Sequence, residues 1–270
     1  MVVLDAIQFN DVTVTYRASS GGAHTVLRNF DLRVRNTEFL SIVGPSGCGK
    51  STLLRLAAQL IQPTSGTLEI QGDADLRGFS KVAIVFQRPN LLRWLSVLDN
   101  VLYPVRVLRR VTAADRDRAL ALLETVGLTR FANGMPEELS GGMQQRAAIC
   151  RALVLDPQIL LMDEPFSALD ALTREEMQFE LRRIHEATLK TTLFVTHSVN
   201  EAVLLSDRIA VMSSDGGKLH DICDINLRER SEDSLTSEEF GVYAKRIRDG
   251  IYGRPRTAKS APQLETEASP

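Results

Sequence analysis

The stretch Gly44-Pro45-Ser46-Gly47-Cys48-Gly49-Lys50-Ser51 constrains this chain more than any other. It fits G-x-x-x-x-G-K-[ST], follows the apolar run Phe39-Leu40-Ser41-Ile42-Val43, and precedes Thr52-Leu53-Leu54-Arg55-Leu56-Ala57-Ala58, which reads as a helix. A strand, a glycine-rich turn and a helix in that order make a phosphate-binding loop. The glycines let the backbone curl until successive N–H groups point inward, and the helix N-terminus adds positive potential. Lys50 is expected to reach the β- and γ-phosphates as a point charge, and the Ser51 hydroxyl to ligate Mg²⁺. Gly44, Pro45, Ser46, Gly47, Cys48, Gly49, Lys50, Ser51 and Thr52 are the expected cradle of a nucleoside triphosphate.

Composition narrows the setting. The 270 residues suffice for one large domain or a domain with a subdomain. A net charge of −2 lacks the basic excess of a typical nucleic-acid protein, so no direct nucleic-acid partner is expected. Cys48, Cys150 and Cys223 are odd in number, widely spaced and without a metal-ligand pattern. A disulfide at Cys48 would obstruct the phosphate loop, so reduced thiols in a cytosolic protein are expected. No run of about 18 apolar residues and no leader-like N-terminus is present, so membrane association is expected to come through a partner.

Along the chain, Ile7, Phe9, Val12, Val14 and Tyr16 suggest short strands around a turn at Asn10-Asp11. Residues 26–34 alternate as a half-buried antiparallel strand should. A turn at Pro63-Thr64-Ser65-Gly66 leads to a strand over 67–71, and Val82-Ala83-Ile84-Val85-Phe86 reads as a buried central strand. From about residue 96 to 155 the spacing becomes helical, with helices over 115–126 and 141–155, and reads as an insertion. Strands over 159–162, 192–196 and 208–212 then alternate with helices over 173–188 and 199–205. That alternation implies a largely parallel sheet with ligand loops at its carboxyl ends. Residues 1–220 form the expected main domain. A small extension over 221–253 carries a helix near 237–248, and 254–270, rich in Pro, Ala, Ser, Thr and Glu, reads as a disordered tail. No internal repeat is found.

Two further stretches carry chemistry. Ile159-Leu160-Leu161-Met162-Asp163-Glu164 is an apolar strand ending in two carboxylates. Asp163 is placed to hold Mg²⁺ directly or through water, and Glu164 to position or deprotonate an attacking water. The alternative is that the pair caps the next helix. In Leu139-Ser140-Gly141-Gly142-Met143-Gln144-Gln145-Arg146, Ser140 caps a helix whose two glycines leave its first amides bare, a second anion site. If each phosphate loop meets this second site from another copy of the chain, two nucleotides are sandwiched in a dimer.

Together these motifs resemble the nucleotide-binding subunit of an ABC transporter, over about residues 6–215 and in that family's order, with Leu139 to Arg146 similar to its signature. The resemblance implies an α/β P-loop NTPase of the ABC type, with an N-terminal antiparallel β subdomain and a helical subdomain. Its cofactors would be ATP and Mg²⁺. It further implies that Tyr16 stacks on adenine, where the plainer reading is an aromatic covering a sheet edge. Gln87 would be the Q-loop glutamine linking Mg²⁺ and water to the permease. Ser140, Gly141 and Gly142 would bind the γ-phosphate of the ATP held by the opposite subunit. Asp170, ending the D-loop Ser167-Ala168-Leu169-Asp170, would cross the dimer interface, and His197 would be the switch histidine. The catalytic set is then Glu164, His197, Gln87 and Lys50, with Ser51, Gln87 and Asp163 on the metal.

The stretch from Gln87 to Val101 holds Trp94, the only tryptophan, among several leucines. It either forms a groove for a partner's helix or packs into the helical subdomain's own core. By resemblance it receives the permease's coupling helix, and its wording looks most like the nitrate/sulfonate/taurine importer branch. The implied protein is the ATP-hydrolysing subunit of an import complex for a small anion. It would be a homodimer, peripheral at the cytoplasmic face of the membrane, with two permease subunits and a solute-binding protein. ATPases of this kind that act on nucleic acid resemble tandem cassettes or heads split by long coiled coils. The short span from Ser51 to Ser140 carries no sustained heptads. A sensor that binds nucleotide without hydrolysing it is opposed by Glu164 and His197. Gly216-Gly217-Lys218 departs from the pattern, standing where a longer strand–turn unit is common.

Overall fold

The computed structural model describes residues 5–17, 22–71, 81–213, 215 and 217–252. The strands are β1 (Asp5–Arg17), β2 (Ala23–Arg35), β3 (Phe39–Val43), β4 (Ser65–Ile70), β5 (Val82–Val85), β6 (Ile159–Asp163), β7 (Thr191–Val195), β8 (Arg208–Met212) and β9 (Leu219–Asp224). The α-helices are α1 (Lys50–Ala57), α2 (Val97–Leu108), α3 (Ala113–Thr125), α4 (Gly141–Leu153), α5 (Ala171–Thr188), α6 (Val199–Leu205) and α7 (Glu238–Ile251). One sheet is antiparallel, ordered β2-β1-β4, and the other has the order β5-β6-β7-β3-β8-β9. The second sheet is parallel except for β9, which runs antiparallel to β8.

Alternation along the buried strands sorts their side chains into two layers. Phe39, Leu160, Met162 and Phe194 face the helical side. Leu40, Ile42, Leu161, Leu193 and Val195 face α1 and the antiparallel sheet, whose inward residues include Phe9, Phe30 and Leu32. The register pairs Ile42 with Val195 and Asp163 with Val195, so the tips of β3, β6 and β7 lie side by side. That is where this topology places ligand loops. Helices α2, α3 and α4 are inserted between β5 and β6, as the change of spacing predicts. Thr112 and Asp115 form a capping box on α3. The Arg109 guanidinium, donating to both Asp115 oxygens at 2.6 and 2.7 Å, holds that carboxyl well below the usual carboxylate range.

Two expectations are corrected. First, the N-terminal segment is one strand of 13 residues rather than short strands about a turn. Asp11 sits at φ 50 within it, its N–H donating to Asp31 and its carboxylate accepting from Asn29, so the polar pair marks a bulge. Second, β5 is not central: among the described residues it is the edge of its sheet, with Val82, Ala83 and Ile84 only half-buried. Its apolar run serves a groove against α2. Beyond β8, helix α7 falls where the spacing predicts a helix near 237–248. β9 forms the sheet's other edge, with His220, Ile222 and Asp224 on one face and buried Cys223 on the other. Helix α7 buries Phe240, Tyr243, Ala244 and Ile247 against Val43, Val203, Ile209 and Val211. Residues 254–270, expected as a tail, lie outside the described residues.

Arg230 ties this C-terminal part to the sheet. It donates to the carbonyls of Val203, Leu204, Ser206 and Ile225, capping the last turn of α6. Burial pushes its guanidinium down to about 10, still charged at neutral pH. Arg230→Ala orphans those carbonyls and is expected to cost about 3 kcal/mol. Urea unfolding of this variant beside Arg228→Ala, an exposed control, checks it. No helix among the described residues is long and apolar enough to cross a membrane.

Candidate functional site

The loop between β3 and α1 is bent by Gly49, which caps α1 at φ 102, a conformation that favours glycine. Lys50, the first residue of α1, folds back over the loop. Its Nζ donates to the carbonyls of Gly44 and Pro45, each at 2.9 Å. The Cys48 sulfur lies 3.9 Å from that Nζ, and burial pushes the thiol pKa up, so it stays protonated. Cys48, Cys150 and Cys223 are all free and buried.

Ser51 Oγ donates to Asp163 Oδ1 at 3.2 Å, joining the start of α1 to the tip of β6. Burial holds the Asp163 carboxyl above its ordinary range. A hydroxyl and a partly desolvated carboxylate facing each other are hard oxygen donors, the set that suits Mg²⁺ with water and phosphate oxygens completing the shell.

Glu164 follows at φ 46. Its N–H donates to the Val195 carbonyl at 2.9 Å, and its own carbonyl accepts from Ser167 Oγ at 2.9 Å. Those bonds hold a left-handed residue that costs on the order of 1–3 kcal/mol. Its carboxylate meets His197 Nδ1 at 3.1 Å. The capping alternative fails, because α5 is capped by Asp170, which accepts from the Thr173 N–H at 3.0 Å. His197 is itself steadied by residues that sequence reasoning missed. The Thr196 N–H donates to the Ile42 carbonyl, its hydroxyl donates to buried Glu201, and it accepts from the Ser198 N–H. Burial raises the Glu201 pKa. Glu201 belongs to no recognisable motif, and Thr196 is marked only by preceding His197 in Val195-Thr196-His197.

Gln87 is exposed just past β5. The loop it opens hangs from α4: Gln145 donates to the Phe86 carbonyl at 3.2 Å, and Arg151 to those of Pro89 and Asn90 at 2.6 and 2.8 Å. Fully buried Asn100 clasps the same loop through Leu92, Leu95 and Ser96. Trp94 is 74% exposed, so it does not enter the helical core. Tyr16, 40% exposed, pairs with His24 in the β1–β2 hairpin. Farther along β2, Val26 and Leu27 pack against Gly49.

Ser140 caps α4 by accepting the Met143 N–H at 3.3 Å. Gly141 is exposed, whereas Gly142 is buried against Thr173. A cleft of about 820 Å³ opens beside the phosphate loop, walled by Gly44, Pro45, Ser46, His197, Asn200, Ser213 and the end of α7. Ser140, Gly141 and Gly142 take no part in those walls. Within one chain the structure therefore joins Ser51 to Asp163 and Glu164 to His197 beside Lys50, and leaves the second anion site facing elsewhere.

The model of the family described as ABC transporter matches residues 27–167. The chain belongs to the ABC transporter family. An uncharacterized ABC transporter ATP-binding protein of Methanocaldococcus jannaschii is 45% identical to it, over 84% of this chain and 85% of that protein. An aliphatic sulfonates import ATP-binding protein of Bacillus cereus is 40% identical, over 82% and 86%. Among solved structures, a dimeric bacterial ABC transporter cassette superposes with a TM-score of 0.70 at 36% identity, covering 82% of this chain and 99% of that one. The same cassette has been solved in a post-hydrolysis state bound to ADP and Pi. This protein is accordingly an ABC-type ATPase, built as an antiparallel β subdomain, a mostly parallel core sheet and an inserted helical subdomain.

Proposed function

We propose that this cassette powers an importer: two copies close on two Mg·ATP, pull on two membrane permease subunits, and reopen after hydrolysis. The observation that carries the chemistry is the convergence of Ser51–Asp163 and Glu164–His197 at the adjoining tips of β3, β6 and β7. Lys50 leaves the loop carbonyls for the β- and γ-phosphate oxygens. Ser51 and Asp163, with Gln87, hold Mg²⁺, which when bound draws charge from the transferring phosphoryl oxygens. Glu164 accepts the proton of the attacking water, and His197, which meets that carboxylate here, turns its N–H toward the γ-phosphate once nucleotide is bound. Tyr16 offers its face to adenine. The Ser140 hydroxyl and the Gly141 and Gly142 amides of the second copy donate to the γ-phosphate, and Asp170 approaches across the same interface.

The membrane partner is assigned to a groove of about 440 Å³ lined by Ile84, Phe86, Leu92, Tyr103, Val107 and Leu108. Phe86, Tyr103, Val107 and Leu108 are exposed apolar side chains, which suits a short amphipathic helix of a permease. The site is then peripheral on the cytoplasmic face. Similarity to sulfonate import proteins favours a sulfonate-like anion delivered by a solute-binding protein. Val107→Glu places a charge on an exposed rim, so folding and basal ATP turnover should stay within about twofold of wild type. Co-purification with membrane permease subunits and solute uptake should both be lost. Retained complex and retained uptake would count against this docking site.

A further inference from the structure

Gly217 lies in the turn joining β8 to β9, at φ +62, pressed against the outside of the phosphate loop. A Cβ on it would stand 2.1 Å from the Val26 carbonyl oxygen and 2.9 Å from the Cys48 carbonyl oxygen. Both are backbone atoms, so neither can yield as the tip of a side chain does. The Val26 carbonyl touches the loop as well: a Cβ on Gly49 would lie 3.2 Å from it. On the inner flank, Gly44 is just as close to the Met212 carbonyl, at 2.8 Å for a Cβ. The loop is thus pinched between the last residue of β8 and the turn that follows it.

This contact falls on a peptide group that matters. A loop whose amides face an anion turns its carbonyls outward, and here the Cys48 carbonyl faces Gly217. The Cys48 carbonyl and the Gly49 N–H belong to one planar unit and move together. Pressing the oxygen inward therefore swings that N–H off its line. We propose that Gly217 is a positioning residue for ATP, holding the Cys48–Gly49 peptide so that the Gly49 amide points into the phosphate site. Gly217, which no motif explains, is then a backstop of the nucleotide site. The inference rests on the reading of residues 44–51 as that site.

Gly217→Ala tests it, with Gly127→Ala as the control. Gly127 also has positive φ (+70) but open space where its Cβ would go, so it carries the conformational cost without the contact. The readouts are the dissociation constant of a fluorescent ATP analogue, the ATP-induced rise in melting temperature, and kcat and KM for ATP. Gly217→Ala is expected to raise the dissociation constant and KM roughly tenfold or more, the scale of one overpacked backbone contact, with kcat at saturating ATP within about twofold. Gly127→Ala should leave ATP affinity unchanged. Gly217→Asn tolerates the left-handed backbone better and keeps the same Cβ, so it should fold more readily and show the same loss.

Unchanged ATP affinity in a folded Gly217 variant would overturn the proposal. Equal losses in the Gly127 control would do so too. Failure of both Gly217 variants to fold, beside a folded control, would make the contact purely structural and also overturn it. If wild type and Lys50→Ala bind ATP alike, it is the reading of the loop that fails.

Discussion

Glu164→Gln is expected to lower ATP turnover by roughly 10²- to 10⁴-fold, the usual contribution of a positioned general base, while leaving ATP binding intact. Glutamine has nearly the same shape and can still face His197 Nδ1 at the present 3.1 Å. The backbone bonds to Val195 and Ser167 that hold position 164 at φ 46 do not involve the side chain. Only the ability to take a proton from water is lost. Bound ATP should then persist, and gel filtration with Mg·ATP should show a stable dimer where the wild type returns to monomer. Turnover unimpaired in this variant would sink the assignment of Glu164.

The second large effect comes from mixing two inactive proteins. Lys50→Ala removes the charge from the phosphate loop, and Gly141→Glu puts a carboxylate where the second anion site should be. Gly141 is exposed, and a Cβ there meets only Leu169 at an ordinary 3.7 Å, so that substitution is tolerated by the isolated chain. Gly142 would be a poor choice, since a Cβ there would lie 2.3 Å from Thr173. Each variant alone should retain little activity. If every site takes its phosphate loop from one copy and its signature from the other, random pairing gives half of the dimers as mixed, each with one sound site. The mixture should then recover about a quarter of wild-type activity, as a two-fold symmetric pair requires. A mixture as inactive as its components would argue that each chain completes its own site.

The fold was legible wherever its determinants are contiguous. A phosphate loop needs a strand, a curl and a helix in immediate succession, and β3, residues 44–49 and α1 follow that order. The inserted helices announced themselves through a change of period, and Ser140 through its cap. Position within a sheet is another matter. The apolar run of β5 has the composition of a central strand, and only the pairing of distant segments makes it an edge. Asn10-Asp11 reads as a turn because a bulge uses the same left-handed backbone. β9 was hidden by its polar residues His220, Asp221 and Asp224, although Cys223 within it is buried.

The supports of the candidate site were the least legible part. Asn100, Gln145, Arg151, Thr196 and Glu201 act on main-chain atoms or on each other after folding, and nothing in their local spacing marks them. Trp94 could have gone either way on composition. It is exposed on a loop whose flanking Leu92 and Leu95 carbonyls are held by buried Asn100.

Helix α4 has a mechanical consequence. It carries Ser140 at its N-cap, Gln145 within its second turn and Arg151 near its far end. Its 13 residues span about 20 Å at 1.5 Å per residue. A rod of that length does not flex appreciably, so it acts as a beam with a load at each end. One load is whatever Ser140 grips, and the other is the Pro89–Asn90 backbone held by Arg151. Tilting the beam about its middle moves the two loads in opposite directions. On the proposed reading, force applied by a membrane subunit at the Gln87 loop would enter the beam through Arg151 and emerge at Ser140 as displacement.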